Sequence, residues 1–215
     1  MIINIEEIII YEDADIIALH KPAGLATQTS KLTEKDLVSL VRGYLKGGYV
    51  GVINRLDQPV EGIVLMAKSS AVAAKLTSLL NAGKLDKRYR AIVYGVIENK
   101  TKTVLSDYMV KDGKTNLSRI CEATDKDARE AILEYEVIKS DSETSTLDIH
   151  LITGRHHQIR LQMSNMGHPI LGDKKYGNVK SNELSENLGI KNVKLLSYYL
   201  RFEHPTNGKT IELKI

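Results

Sequence analysis

The sequence predicts an α+β fold, a mainly antiparallel sheet with flanking helices, and three observations predict it. Strand-like segments follow one another at 88–96, 103–110, 129–139 and 145–153 with few intervening helices, which favours antiparallel pairing. Separate stretches carry apolar residues at helical spacing. At 215 residues, 42% hydrophobic and 27% charged, the chain is long and apolar enough to bury one compact core.

Each element has its own signal. Ile8–Tyr11 and Ile16–His20 are short apolar runs separated by EDAD, which predicts two strands and a tight turn. Thr33 with Asp36 resembles a helix N-cap, and Leu37, Leu40, Val41, Tyr44 and Leu45 recur on one helical face until Gly47-Gly48 stops them. Ile63–Ala67 reads as a buried strand. Ser69 or Ser70 then caps a helix with Val72, Leu76, Leu79 and Leu80 on one side, ended by Gly83. The segment 129–139 alternates as Arg129, Ala131, Leu133, Tyr135 and Val137 against polar neighbours, the period of a strand. His157–Met166 has helix-compatible spacing at Ile159, Met163 and Met166, with Gly167 placed to end it, and strands near 195–203 and 210–215 close the domain. The four prolines are scattered at 22, 59, 169 and 205, and no repeat or linker interrupts the chain, so residues 1–215 are read as a single domain.

Composition excludes several classes. No apolar run approaches the length of a membrane span, so no membrane role is expected. MIINIEEIIIYEDAD lacks the basic and small-residue regions of a signal peptide, and with the lone Cys121 this favours a reducing cytoplasm. The net charge of +3 is too small to announce a nucleic-acid partner. Its distribution is more informative. Residues 1–150 carry 20 Lys and Arg against 22 Asp and Glu, whereas residues 151–215 carry 10 against 5, so positive charge gathers in the last third. Charge alone fits a solvated basic face at least as well as a phosphate track.

Three segments carry candidate chemistry. In VINRLDQPVEGIVLMAK, residues 52–68, Asp57 stands in a turn-rich stretch just before a strand, beside Arg55. A carboxylate on a loop braced by a strand can be aimed at a ligand, although such an Asp read alone fits a surface ion pair better. In ITGRHHQIRLQMSNMGHPILGDKKYG, residues 152–177, Arg155, His156, His157, Gln158 and Arg160 crowd into six positions, donors suited to phosphate and to a polar base. The histidines lack the i, i+4 spacing and acidic neighbours of familiar zinc sites, and structural roles for them stay open. In DKRYRAIVYG, residues 86–95, Tyr89, Ala91 and Val93 alternate with Arg88, Arg90 and Ile92, so Tyr89 points either into the core or onto a stacked base.

Taken in order, these segments resemble the RluA/RluD-type family of pseudouridine synthases. IIALHKPAGLATQ at 16–28 resembles its opening motif, NRLDQPVEG its catalytic motif, KRYRAIVYG its tyrosine strand, TGRHHQIRLQMSNMGHPILGDKKYG its third motif and LRFEHP at 200–205 its closing strand. The resemblance runs from about residue 8 to the C-terminus, and no S4-type RNA-binding module is expected ahead of it. It implies a large mixed, mainly antiparallel sheet with an RNA-binding cleft, an RNA substrate, and no metal or organic cofactor; a monomer is the expectation from size. By the same resemblance Asp57 is the catalytic aspartate, Tyr89 the active-site tyrosine and Arg155 the arginine that pairs with the aspartate. Arg55 helps displace the target base. Lys21 and Asn54, with Arg88, His157, Gln158 and Arg160, are expected on the RNA-binding side.

The reaction breaks the C1′–N1 bond of a uridine, turns the uracil and joins C5 to C1′. An ionised carboxylate near C1′ can attack the sugar, stabilise oxocarbenium character or remove a sugar proton, and an arginine partner keeps it charged. The target base must leave its stack. The expected function is therefore isomerisation of specific uridines in ribosomal or transfer RNA. Departures from the family pattern are Asn54 for the usual histidine, Val60-Glu61 for Thr-Ser, and Leu196-Ser197 for His-Ala. They leave room for a noncatalytic RNA-binding or RNA-folding protein on the same scaffold. Glycoside hydrolysis is a third reading, weakened by its need for a second carboxyl group, for which Glu61 is the candidate.

Overall fold

The computed structural model describes residues 3–29 and 35–215. In chain order its elements are α1 (Ile5–Ile8), β1 (Ile9–Glu12), β2 (Ile16–Lys21), α2 (Leu37–Tyr44), β3 (Gly51–Val52), β4 (Glu61–Ala67), α3 (Ser70–Asn81), β5 (Asp86–Tyr94), β6 (Thr103–Asp112), β7 (Leu117–Cys121), β8 (Arg129–Ser140), β9 (Thr144–Leu151), α4 (Gln158–Asn165), α5 (Val179–Asn187), β10 (Leu195–Glu203) and β11 (Thr210–Lys214). The chain forms two compact units, Met1–Asp86 with Ser197–Ile215, and Lys87–Leu196.

In the first unit the strand order is β1-β2-β4-β10, with β3 also on β4 and β11 on β10. Ile16–Leu19 and Gly62–Ala67 are buried without alternation, as expected of central strands covered on both faces. The pairing of β2 with β4 is antiparallel and sets Lys21 opposite Gly62 and His20 opposite Ile63. Ser69 caps α3 by accepting the Val72 amide at 3.3 Å, and Val72 and Leu76, one turn apart, enter a core with Ile63, Leu65, Leu200 and Phe202. Gly62, at φ +135°, lies under β10. A Cβ there would stand 2.4 Å from the Ser197 carbonyl oxygen, so only glycine lets the two strands meet.

In the second unit the order is β5-β9-β8-β6-β7, every pairing antiparallel. Met109, Ala131 and Leu161 form a core cluster joined by Ile120 and Tyr176, which docks α4 on this sheet. No helix among the described residues is long and apolar enough to cross a membrane.

The α+β architecture and mainly antiparallel pairing are those the sequence predicts. Asp36 does cap α2, accepting the Ser39 amide at 2.7 Å, while Thr33 lies outside the described residues. Ser69 rather than Ser70 caps α3. Four elements had no sequence signal: α1, β3, β7 and α5.

Candidate active site

In the first unit, the candidate residues gather around the loop that carries Asp57. Two segments of the opening motif hold this loop, one on each side of the carboxylate. On the N-terminal side, the buried Thr27 hydroxyl donates to the Leu56 carbonyl at 2.8 Å, and the Leu56 amide lies 3.2 Å from the same oxygen. On the C-terminal side, the Gly24 amide donates to the Gln58 carbonyl at 2.8 Å, and the Gln58 side-chain amide returns a bond to the Gly24 carbonyl at 3.1 Å. A turn bond from the Val60 amide to the Asp57 carbonyl, 3.0 Å, completes the frame. Both backbone neighbours of Asp57 are thereby fixed before any substrate arrives.

Lys21, fully buried at the end of β2, ties the same loops together. Its ammonium donates to the carbonyls of Leu25 at 2.7 Å, Pro22 at 3.0 Å and Gln58 at 3.2 Å. Burial pushes its pKa down to about 8, against the charges of Asp57 and Glu61, which pull it up. The three carbonyls also favour the ammonium form. Arg55 is exposed, and its guanidinium donates to the Gln28 side chain at 2.8 Å. Asn54 is buried and serves β4 as a substitute strand, donating to the Ile63 carbonyl at 2.9 Å and accepting the Leu65 amide at 2.7 Å.

The second unit, taken by itself, carries β5 and the third motif. Tyr89 is 5% exposed and lies on the buried face of β5 with Lys87, Ala91 and Val93. Arg88 and Arg90 point to the other face, 3.8 and 3.9 Å from the Asp148 carboxylate. Arg155 is exposed, and its Nε donates to the Glu130 carbonyl at 2.8 Å. The Gln158 side chain fixes the turn before α4. It accepts from the Thr153 hydroxyl at 2.8 Å and the Arg155 amide at 2.9 Å, and donates to the Ile132 carbonyl at 3.1 Å.

Further along α4, Arg160 forms a two-point pair with Asp173, Nε to Oδ2 at 2.6 Å and Nη2 to Oδ1 at 2.7 Å. Both side chains are sealed, 3% and 0% exposed. The Arg160 guanidinium also lies 5.3 Å over the Tyr176 ring. Tyr176 is a hub: its oxygen is 2.8 Å from His157 Nδ1 and accepts the Ser118 amide at 2.8 Å, while Ser118 Oγ sits 2.9 Å from His156 Nδ1. The His156 and His157 rings stack at 3.7 Å. Burial pushes the Tyr176 hydroxyl up, with the Ser118 amide and the Arg160 charge opposing.

A family model described as RNA pseudouridylate synthase matches residues 15–165, which include the Asp57 loop with its braces, β5 and the Gln158 turn. The chain belongs to the RNA pseudouridylate synthase family. Its reaction class is that of the family, isomerisation of uridine to pseudouridine in RNA. A tRNA pseudouridine synthase C of Yersinia pestis is 30% identical, over 95% of this chain and 84% of its own length. A ribosomal large subunit pseudouridine synthase C of Rickettsia prowazekii (strain Madrid E) is 36% identical, over 79% of this chain and 56% of its own length. In fold, the chain matches the solved structure of human RNA pseudouridylate synthase domain containing 1 with a TM-score of 0.78 at 20% identity, covering 96% of this chain and 82% of that one.

Against this family background, several residues expected on RNA lie inside the protein. Arg160 is consumed by Asp173, Gln158 by the backbone of the turn it holds, and His157 is 8% exposed with its Nδ1 on Tyr176. Asn54 and Lys21 are likewise buried on backbone partners. Each of these five is buried and bonded to protein partners within its own unit. Arg55 and Arg155 keep exposed positions, and Arg88 is partly exposed. Thr27, Tyr176 and Lys87 escaped the sequence reading. Lys87 had a signal, because carrying the alternation of Tyr89, Ala91 and Val93 one step back lands on it. No group of three or more His, Cys, Asp or Glu side chains among the described residues is arranged to hold a metal ion.

Proposed function

We propose that the protein isomerises specific uridines of ribosomal or transfer RNA, with Asp57 as the catalytic carboxylate. One observation carries this reading: the residues on either side of Asp57 are pinned through Thr27, Gly24 and Lys21, at distances of 2.8–3.2 Å. Surface ion-pair residues need no such frame. A group that must meet C1′ within a few tenths of an ångström does. Tyr89 is read as the tyrosine of the active site, stacking on uracil or assisting proton removal from C5. Arg155 is the arginine that the family motif pairs with the aspartate, and Arg55 the residue that helps displace the target base. Arg88 is read as a backbone contact.

The choice of ribosomal or transfer RNA rests on the names of the relatives, one acting on each. The lone cysteine suits a cytoplasmic protein and the size of the chain a monomer, and residues 1–215 are read as one catalytic domain. The asparagine at position 54 does not favour a noncatalytic reading, since it is buried and spends its amide on the Ile63 carbonyl and the Leu65 amide of β4.

The test is release of tritium from C5-tritiated RNA incubated with the purified protein. Release from ribosomal or transfer RNA is the expected result; none from any cellular RNA pool, with the protein folded, would sink the proposal. Asp57→Asn keeps the size and removes the charge, so turnover should fall by at least about 10³-fold while RNA affinity stays within threefold. Near-normal turnover in this variant would remove Asp57 from its assigned role.

A further inference from the structure

Lys87 is the one ammonium of the buried β5 face, and no role described so far uses it. Its side chain is 7% exposed, on the same face as Tyr89, Ala91 and Val93. Burial alone lowers its pKa. Among the described residues it has neither a hydrogen-bond acceptor nor a carboxylate partner. The ammonium instead lies against Gly154, where a Cβ would be 3.6 Å from Nζ. Gly154 is exposed and directly precedes Arg155. The stem is buried while the ammonium reaches solvent beside Gly154, and a cation held there without a protein partner is placed to receive one from outside.

We propose that the Lys87 ammonium binds the uracil of the target nucleotide and bears the negative charge that the base acquires when the C1′–N1 bond breaks. This rests on the reaction and the role of Tyr89 given above. On a strand, Lys87 and Tyr89 are about 6.7 Å apart on one face, the span of one pyrimidine ring with its exocyclic oxygens. When C1′–N1 breaks, the bonding pair goes to N1 and spreads onto O2 and O4, and C1′ is left electron-deficient. After the base turns, C5 returns a pair to C1′, the C5 proton passes to water, and the uracil is neutral again. A cation beside the oxygens lowers the energy of the charged stage far more than that of the bound uridine, which is how a fixed charge accelerates a step. A backbone phosphate fits the position less well. It carries its charge in the ground state and stays hydrated, and exposed Arg55 and Arg155 suit it better.

The experiment compares wild type with Lys87→Met, of similar length and without charge, on saturating C5-tritiated RNA in single turnover. The expected result is a rate about 100-fold lower, RNA affinity within threefold, and a melting temperature no lower than wild type, because the ammonium gives up no protein partner. The deficit should shrink at least tenfold on RNA carrying 5-fluorouridine, measured as its consumption, since fluorine helps the base hold the charge by itself. A Lys87→Met rate within threefold of wild type would overturn the assignment. So would weakened affinity with an unchanged rate at saturation, the mark of a phosphate contact. An equal deficit on both bases with a lowered melting temperature would also overturn it, as that is structural damage. Wild-type protein that turns over no RNA would overturn the reaction itself and this assignment with it.

Discussion

Asp57 read as a single residue has nothing to distinguish it from an ordinary surface carboxylate; what distinguishes it is how its neighbours are held. Thr27 is the sharpest case. Its one hydroxyl satisfies both the carbonyl and the amide of Leu56, immediately before the carboxylate. Thr27→Val preserves shape and removes both bonds. It should cost about 1–3 kcal/mol of stability and lower kcat about tenfold through misplacement of Asp57, with KM within twofold. Thr27→Ser should restore kcat. Denaturant unfolding and steady-state kinetics measure the two effects, and an unchanged kcat in the valine variant would mean that this brace does not aim the carboxylate. Thr27 was illegible in the sequence because its partner lies 29 residues ahead, and nothing local marks a buried threonine as a bridge.

Among the elements, α4 shows where polar sequence misleads. Arg155, His156, His157, Gln158 and Arg160 read as a cluster of ligand-facing donors, yet His157, Gln158 and Arg160 turn inward. Arg160 pairs with Asp173 and His157 with Tyr176, partners that return to α4 only through the next loop, while Gln158 turns to Thr153 and the Ile132 carbonyl. Arg160→Met should leave Asp173 buried without its counter-charge and cost about 3–5 kcal/mol. The folded fraction should bind RNA with the same salt dependence as wild type, because no phosphate contact is lost. Urea unfolding with salt-titrated binding would check this; a shallower salt slope would return Arg160 to the RNA surface. Strands with clear alternation, β5 and β8 above all, were legible within a few residues. By contrast α5 buries only Ser181, Leu184 and Ser185, too little apolar surface for a periodic signal, and is set by a capping box between Asn178 and Ser181. The strand β7 has five residues and β3 two, short enough that pairing partners rather than composition decide them.

At the scale of the whole molecule, the unit that carries Asp57 is assembled from both ends of the chain, and Asp13 is one of its fastenings. One carboxylate oxygen accepts the amides of Asp15 at 2.8 Å and Ile16 at 2.9 Å; the other meets the Tyr11 hydroxyl at 2.9 Å and His204 Nε2, beyond β10, at 3.0 Å. Burial raises its pKa, but the Ile16 and Asp15 amides and the Tyr11 hydroxyl outweigh it, and the net shift is downward. With a folded pKa below the unfolded one, near 3.9, the unfolded chain takes up the proton first on acidification. The stabilisation is therefore complete above that value and disappears as pH falls through the folded one. Asp13→Asn should be less stable than wild type at pH 6, and the gap should narrow toward pH 3 in denaturant titrations. A constant gap would show that the charge contributes nothing. The narrow seat at Gly62 has a separate consequence, for synthesis. The strand that fills it, β10, leaves the ribosome roughly ten seconds after β4 at ordinary elongation rates. Throughout that interval an apolar strand edge beside the Asp57 loop stands open to chaperones and to other nascent chains, and it closes only when the last two strands emerge.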